Sequence, residues 1–229
     1  SLSFTPEEEA LIEQEYQALV ADYIASPHRQ KTEIIDQAFR LARHAHGLVR
    51  RRSGEPYILH PIAVARIVCK EIGLGSTSIC CALLHDVVED TEYTVEDIRR
   101  GFGDKIAQIV EGLTKISAEQ VPQNFDSLQA QNIRKLLLTI GDDARVILIK
   151  IADRLHNMRT LGSMKPEKQM KIAGETSFFY APLADRLGLF SIKTELEDLS
   201  FRYEHPEAYA EIERKVKESE QGREDLFHR

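Results

Sequence analysis

The side chains best suited to chemistry lie in one stretch, Leu84-His85-Asp86-Val87-Val88-Glu89-Asp90-Thr91. An imidazole and three carboxylates fall within it, directly behind the apolar run Ile79, Cys80, Cys81, Ala82, Leu83 and Leu84. Burial makes an isolated charge costly, so carboxylates at the end of a core segment either neutralise or gather around a cation. Read as one helix leaving the core, the stretch puts His85 and Glu89 on one face and Asp86 and Asp90 on the next. The plainer alternative is a solvated acidic helix end. A His-Asp doublet immediately after an apolar run favours the cation.

Three other places carry candidates. His60 stands before Pro61, which is expected to open a helix, so it would sit at a helix mouth. In ARVILIKIADRLHNMRTL, residues 144–161, the β-branched run 146–149 admits a strand. The apolar pattern continues through Ile151, Ala152, Leu155 and Met158 without a turn signal, which predicts a buried helix instead. Asp153 breaks that run and shares a helical face with Asn157 and Thr160; a structural pairing with Arg154 or Arg159 is the alternative. Arg50-Arg51-Arg52-Ser53-Gly54 reads as a loop, either a solvated charge run or a site for an anion or a planar base. His44 and His46 are expected as surface or core-edge residues. Together His60, His85, Asp86 and Asp153 offer two imidazoles and two carboxylates without thiolate. That set suits a six-coordinate first-row ion such as Mn2+, with Fe2+ and Zn2+ as alternatives.

Helices must position these groups. Thr5-Pro6-Glu7-Glu8 starts one, with Thr5 as cap and acids against the dipole, and Ile12, Tyr16, Leu19, Tyr23 and Ile24 form its stripe. A second is expected over 30–49, with Ile35, Ala38, Phe39, Ala42 and Ala45 inward. A third spans 61–72, and Ser76 is expected to cap the fourth. Thr94 to Asp97 resembles a capping box. Helices over 104–113, 128–140, 166–187 (kinked at Pro182), 195–203 and 207–220 complete an all-α chain, with 115–126 as a mobile loop. The 229 residues are 42% hydrophobic, enough for one large or two small domains. A formal charge of −7 argues against general nucleic-acid binding, so a phosphate ligand would need a metal or a local basic pocket. Three cysteines without a CxxC spacing suit a reducing compartment. No apolar run of about 18 residues occurs, so a soluble cytoplasmic protein is expected, with no membrane partner. The chain opens on Ser1 and is expected to be a fragment.

Four motifs go further. RRSGEPYILHPIAVA, LLHDVVEDT, KIADRLHNMRTL and YAPLADRLG resemble the hydrolase domain of bifunctional RelA/SpoT-type (p)ppGpp synthetase/hydrolases. These belong to the all-helical HD phosphohydrolase superfamily, and the resemblance spans about residues 34–203. It implies an HD-domain helical bundle over 1–200 and a charged connector over 201–229. It further implies synthetase and regulatory domains in the full-length protein. The implied activity is Mn2+-dependent removal of the 3′-pyrophosphate of the alarmone (p)ppGpp, giving GDP or GTP. His60, His85, Asp86 and Asp153 would hold one divalent ion, and Glu89 and Asp90 would position and activate water. Arg51, Arg52 and Ser53 would contact the guanine nucleotide, Arg51 against the base, with Asn157 and Thr160 near ribose and base. Arg52 stands where the family often has Lys, which alters the fork geometry. The alternatives are an HD hydrolase for another nucleotide and a non-catalytic ppGpp-binding module; the intact acidic pair argues against the latter.

Overall fold

A computed structural model describes residues 3–28, 31–118 and 143–228. All regular elements among them are helical, and the only β feature described is an isolated antiparallel bridge between Arg50 and Pro56. Backbone contacts group the chain into two units, residues 1–163 and 164–229.

In the first unit, α1 (Pro6–Ile24) opens with the expected capping box: Thr5 accepts from the Glu8 amide and Glu8 accepts from the Thr5 amide. Ile12, Tyr16, Leu19 and Tyr23 are buried, while Ile24 is exposed and lies off the stripe assigned to it. α2 (Thr32–His46) is shorter than expected. Gly47 ends it at φ 54° and ψ −123°, a combination open to glycine. α3 (Leu59–Arg66) begins two residues earlier than Pro61 suggested, so His60 sits inside it, and it continues as a π-helical turn (Ile67–Ile72) capped by Gly73 in the left-handed region. α4 (Ser76–Leu83) is capped by Gly75 and not by Ser76.

The expectation of one continuous helix through the acidic motif fails. α4 stops at Leu83, residues 84–86 form a turn, and α5 (Val87–Asp90) is separate. His85 Nδ1 lies 2.7 Å from the Ala82 carbonyl oxygen, which in a continuing helix would take the Asp86 amide. The side chain captures that acceptor and the helix ends. His85 and Glu89 therefore do not share a helical face.

α6 (Val95–Phe102) has the Thr94–Asp97 capping box. α7 (Asp104–Ala118) runs past Leu113 and into the expected loop; the rest of that loop and the helix over 128–140 lie outside the described residues. α8 (Arg145–Arg159) is helical where a strand was the alternative, and buries Ile149, Ile151 and Leu155 completely. α3 packs against α1, α4 and α8, and α7 against α4 and α8. Each fully buried Ile or Leu contributes about 1.5–3 kcal/mol, so the middle of the unit rigidly supports what α3 and α8 carry.

The second unit holds α9 (Pro166–Glu175), a π turn (Thr176–Tyr180), α10 (Ala181–Arg186), α11 (Phe190–Glu204) and α12 (Pro206–Phe227). Pro182 has no amide hydrogen for the carbonyl four residues back. The turn before it widens, with the Ala181 amide reaching the Thr176 carbonyl. Position 200 lies inside α11.

Candidate metal centre

His60, His85 and Asp153 converge from α3, the turn after α4, and α8. One ligand atom from each lies within 4.8 Å of the others, and all three residues are buried. His60 Nε2 stands 2.8 Å from Asp153 Oδ1, and His85 Nε2 is 3.3 Å from the same oxygen. Nδ1 donates to the Ala82 carbonyl, which turns the His85 ring so that Nε2 faces Asp153.

Asp86 is not part of this three-residue group. Its Oδ2 lies 3.6 Å from His85 Nε2 and accepts a hydrogen bond from the Tyr57 hydroxyl. Its Oδ1 is 3.2 Å from His46 Nε2, and neither of these buried atoms has a hydrogen-bond partner. The His60 Nδ1 lies 2.6 Å from His156 Nδ1, so one of the two nitrogens carries the proton between them. Lys150 Nζ sits 3.3 Å from Asp153 Oδ2, which leaves Oδ1 to the two histidines.

The electrostatics call for positive charge. Burial works to raise the Asp153 carboxyl, yet Lys150 and His85, with hydrogen bonds from His60 and His85, hold it well below the ordinary range. Burial likewise opposes ionisation of Asp86, but His85 and His46 and the Tyr57 hydroxyl keep it low. Burial alone would pull His85 down; Asp86 and Asp153 outweigh it and bring it up to about 9. A buried imidazolium thus balances two buried carboxylates, the role a metal ion is suited to fill. Burial, with His60 and Arg51 nearby, pushes His156 down to about 3, which keeps it neutral beside His60. His60 is lowered by burial against the pull of Asp153, which suits a neutral ligand. The donor set therefore fits a divalent ion.

A second group lies along the same face of α8. Arg51 donates from Nη1 to Thr160 Oγ1 and from Nη2 to Asn157 Oδ1, both at 3.0 Å. Arg52 and Ser53 are exposed at the loop tip, where Ser53 hydrogen-bonds Glu55. Glu89 and Asp90 are exposed on α5. Burial, then Asp86 and Glu89, raise the Asp90 carboxyl above its usual value. Arg159 pairs with Glu71, at 2.8 Å, rather than with Asp153.

The sequence placed His46 at the surface or core edge, whereas it is buried beside Asp86, and gave no role to Tyr57, Lys150 or His156. Helical spacing held the signal for three of them. His46 follows Ala42 by four residues on the buried stripe of α2, and Lys150 and His156 stand three residues either side of Asp153.

Residues 38–190 match the HD domain family. This chain belongs to the HD-domain family. It is 43% identical over 221 residues to the guanosine-3′,5′-bis(diphosphate) 3′-pyrophosphohydrolase of Aquifex aeolicus, covering 96% of this chain and 30% of that protein. It is 46% identical over 193 residues to the bifunctional (p)ppGpp synthase/hydrolase SpoT of Escherichia coli K12, covering 84% of this chain and 27% of that one. The chain thus spans less than a third of the curated relatives it matches. A solved structure described as a metazoan ortholog of SpoT that hydrolyses ppGpp superimposes with a TM-score of 0.56 at 26% identity, covering 77% of this chain and 98% of that one. No described helix is long and apolar enough to cross a membrane.

Proposed function

We propose that this chain is a metal-dependent hydrolase module that removes the 3′-pyrophosphate of (p)ppGpp, leaving GDP or GTP. One observation carries the reading: a buried metal-type donor group and an arginine-centred polar group occupy the same face of α8. Asp153, Asn157 and Thr160 are spaced so that Asn157 lies about 6 Å and Thr160 about 10 Å along the axis from Asp153, at 1.5 Å per residue. A nucleoside bridges such a span, with its phosphorylated ribose toward Asp153 and its base toward Thr160. The names of the matched relatives supply the substrate class.

His60, His85 and Asp153 would hold the ion, with Asp86 as a fourth donor presented by Tyr57 and His46. Mn2+ suits an imidazole and carboxylate set without thiolate. The ion, when bound, supplies Lewis acidity toward a phosphoryl group and a more acidic water. Arg51 anchors the guanine end against Asn157 and Thr160, and Arg52 and Ser53 contact the nucleotide from the loop. Glu89 and Asp90 orient the attacking water and take its proton; burial, then Asp86 and Glu89, raise the Asp90 carboxyl, which suits a proton acceptor. Cleavage breaks the link between the ribose 3′ oxygen and the diphosphate, so pyrophosphate leaves intact.

Residues 1–200 would form the hydrolase domain and 201–229 a connector, supported by the family match to residue 190 and by the absence of buried residues in α12. A cytoplasmic location is supported by three buried free thiols. The remaining length of the relatives would hold the synthetase and regulatory domains.

The test is product analysis on ppGpp with added Mn2+. We expect GDP and pyrophosphate, and loss of turnover in chelator. Stepwise release of single phosphates, undiminished activity in chelator, or preference for another nucleotide in a substrate panel would overturn the reading. Tight ppGpp binding with no turnover would instead make the chain a nucleotide-binding module.

A further inference from the structure

The loop carrying Arg51 is held from outside the matched HD region. Residues 50–56 close on themselves: the Arg51 amide donates to the Glu55 carbonyl, the Gly54 amide to the Arg51 carbonyl, and the Tyr57 amide to the Val49 carbonyl, each at 2.8 Å. Arg50 pairs with Pro56 in the isolated bridge. In such an extended segment consecutive side chains point to opposite sides. Arg50 turns outward and Arg51 turns inward to Asn157 and Thr160.

What holds Arg50 outward is the first turn of α1. Glu8 takes both arms of the Arg50 guanidinium, Nη2 at 2.8 Å on Oε1 and Nη1 on Oε2. The same Nη1 donates to the Gly54 carbonyl at 2.7 Å and so ties the loop shut. The ring of Phe4, itself buried, lies 5.1 Å from the Arg50 guanidinium and 5.3 Å from that of Arg43, which pairs with Glu9. α1 is a fixed support for this contact. Tyr16 stacks on Phe39 of α2 with centroids 3.9 Å apart, and Arg66 of α3 pairs with Glu15 and Asp22. α1 lies before the residues matched by the HD family, which begin at 38.

We propose that Glu8 and Phe4 are substrate-positioning residues: by holding Arg50 outward they preset Arg51 toward the base-binding end of the site. This rests on the nucleotide reading above. An exposed single ion pair is worth little, but this one is bidentate, shares its donor with a loop carbonyl and is covered by an aromatic ring. Its effect falls on the ordering of Arg51 before binding, so it acts on substrate affinity and leaves the metal group and the chemical step alone.

Glu8→Gln is the informative variant, because glutamine retains the capping-box hydrogen bond to the Thr5 amide and loses the charge toward Arg50. With ppGpp and Mn2+ we expect KM to rise about 3–10-fold, the scale of freeing one ordered long side chain, with kcat and Mn2+ affinity unchanged. Trypsin should cut after Arg51 and Arg52 several-fold faster than in the parent. Arg50→Met should match these effects, and the double variant should be no worse than Arg50→Met alone. Additive effects, an unchanged cleavage rate, or a fall in kcat or Mn2+ affinity at constant KM would overturn the proposal. A parent protein that does not turn over ppGpp sinks the hydrolase reading; the cleavage rates need no substrate and still decide whether Glu8 and Arg50 hold the loop.

Discussion

Asp86 shows how a ligand-type residue is prepared by residues without ligand chemistry of their own here. Its Oδ2 accepts from the Tyr57 hydroxyl, which fixes its direction before any ion arrives, and its Oδ1 faces His46. Burial and Asp86 raise the Tyr57 phenol, so the hydroxyl stays protonated and donates. Tyr57→Phe keeps the ring and removes only that donor. It should weaken Mn2+ binding by about 10–100-fold, the usual cost of losing an outer partner of a ligand. Glu89→Gln should bind Mn2+ normally and lose about 10²–10⁴-fold in turnover, as expected for a lost general base. Metal titration of both variants with single-turnover kinetics separates the two roles. Normal turnover in Glu89→Gln, or a metal defect there equal to that of Tyr57→Phe, would show the acidic pair to be misassigned. At this scale the sequence was readable where residue type itself is rare in a core. His85 and Asp153 interrupt apolar runs and so stand out, as does the three-arginine loop. Tyr57, His46 and His156 did not stand out, because a single phenol or imidazole near an apolar stripe reads as core edge. What gives them a role is a neighbour 29, 40 or 96 residues away in the chain.

The elements show a similar division. The stripes of α1, α2 and α8 follow from helical periodicity, and the two Thr caps follow from residues three apart. The break after Leu83 does not, because it depends on a side chain taking a backbone acceptor, an event with no periodic trace. Its consequence falls on the candidate metal centre: the turn directs His85 Nε2 at Asp153, which a straight helix would not require. Gly47 is the matching joint at the other side of the site. It follows His46 directly and sends the chain toward the Arg50–Pro56 bridge with φ 54° and ψ −123°. A Cβ there meets only the His44 carbonyl oxygen, at 3.9 Å, so the penalty for a side chain is conformational rather than steric crowding. Gly47→Ala should cost about 1–3 kcal/mol of stability, the scale for a non-glycine residue in such a region. Denaturant unfolding measures it. A change within about 0.5 kcal/mol, the range of an ordinary surface substitution, would mean that the joint is not strained by a side chain.

Across the molecule, the residues with a part in the proposed chemistry all fall within residues 1–163, and the three ligand candidates come from elements that also build the core of that unit. An ion bound between α3, the 84–86 turn and α8 therefore bridges segments far apart in sequence, and it binds the folded state in preference to the unfolded one. At free Mn2+ a hundredfold above its dissociation constant this linkage adds about 2.7 kcal/mol to the stability of the unit. The gain should be visible as slower amide exchange in α3, around Ala82–Val87 and in α8. α12 buries none of its residues, so its amides should exchange quickly with or without the ion. Hydrogen exchange followed by mass spectrometry, with Mn2+ and then with chelator, tests this directly. Protection that appears in α12 but not in α3 or α8 would place the ion elsewhere. No protection anywhere, at Mn2+ concentrations that support turnover, would mean that the three ligand candidates do not hold it.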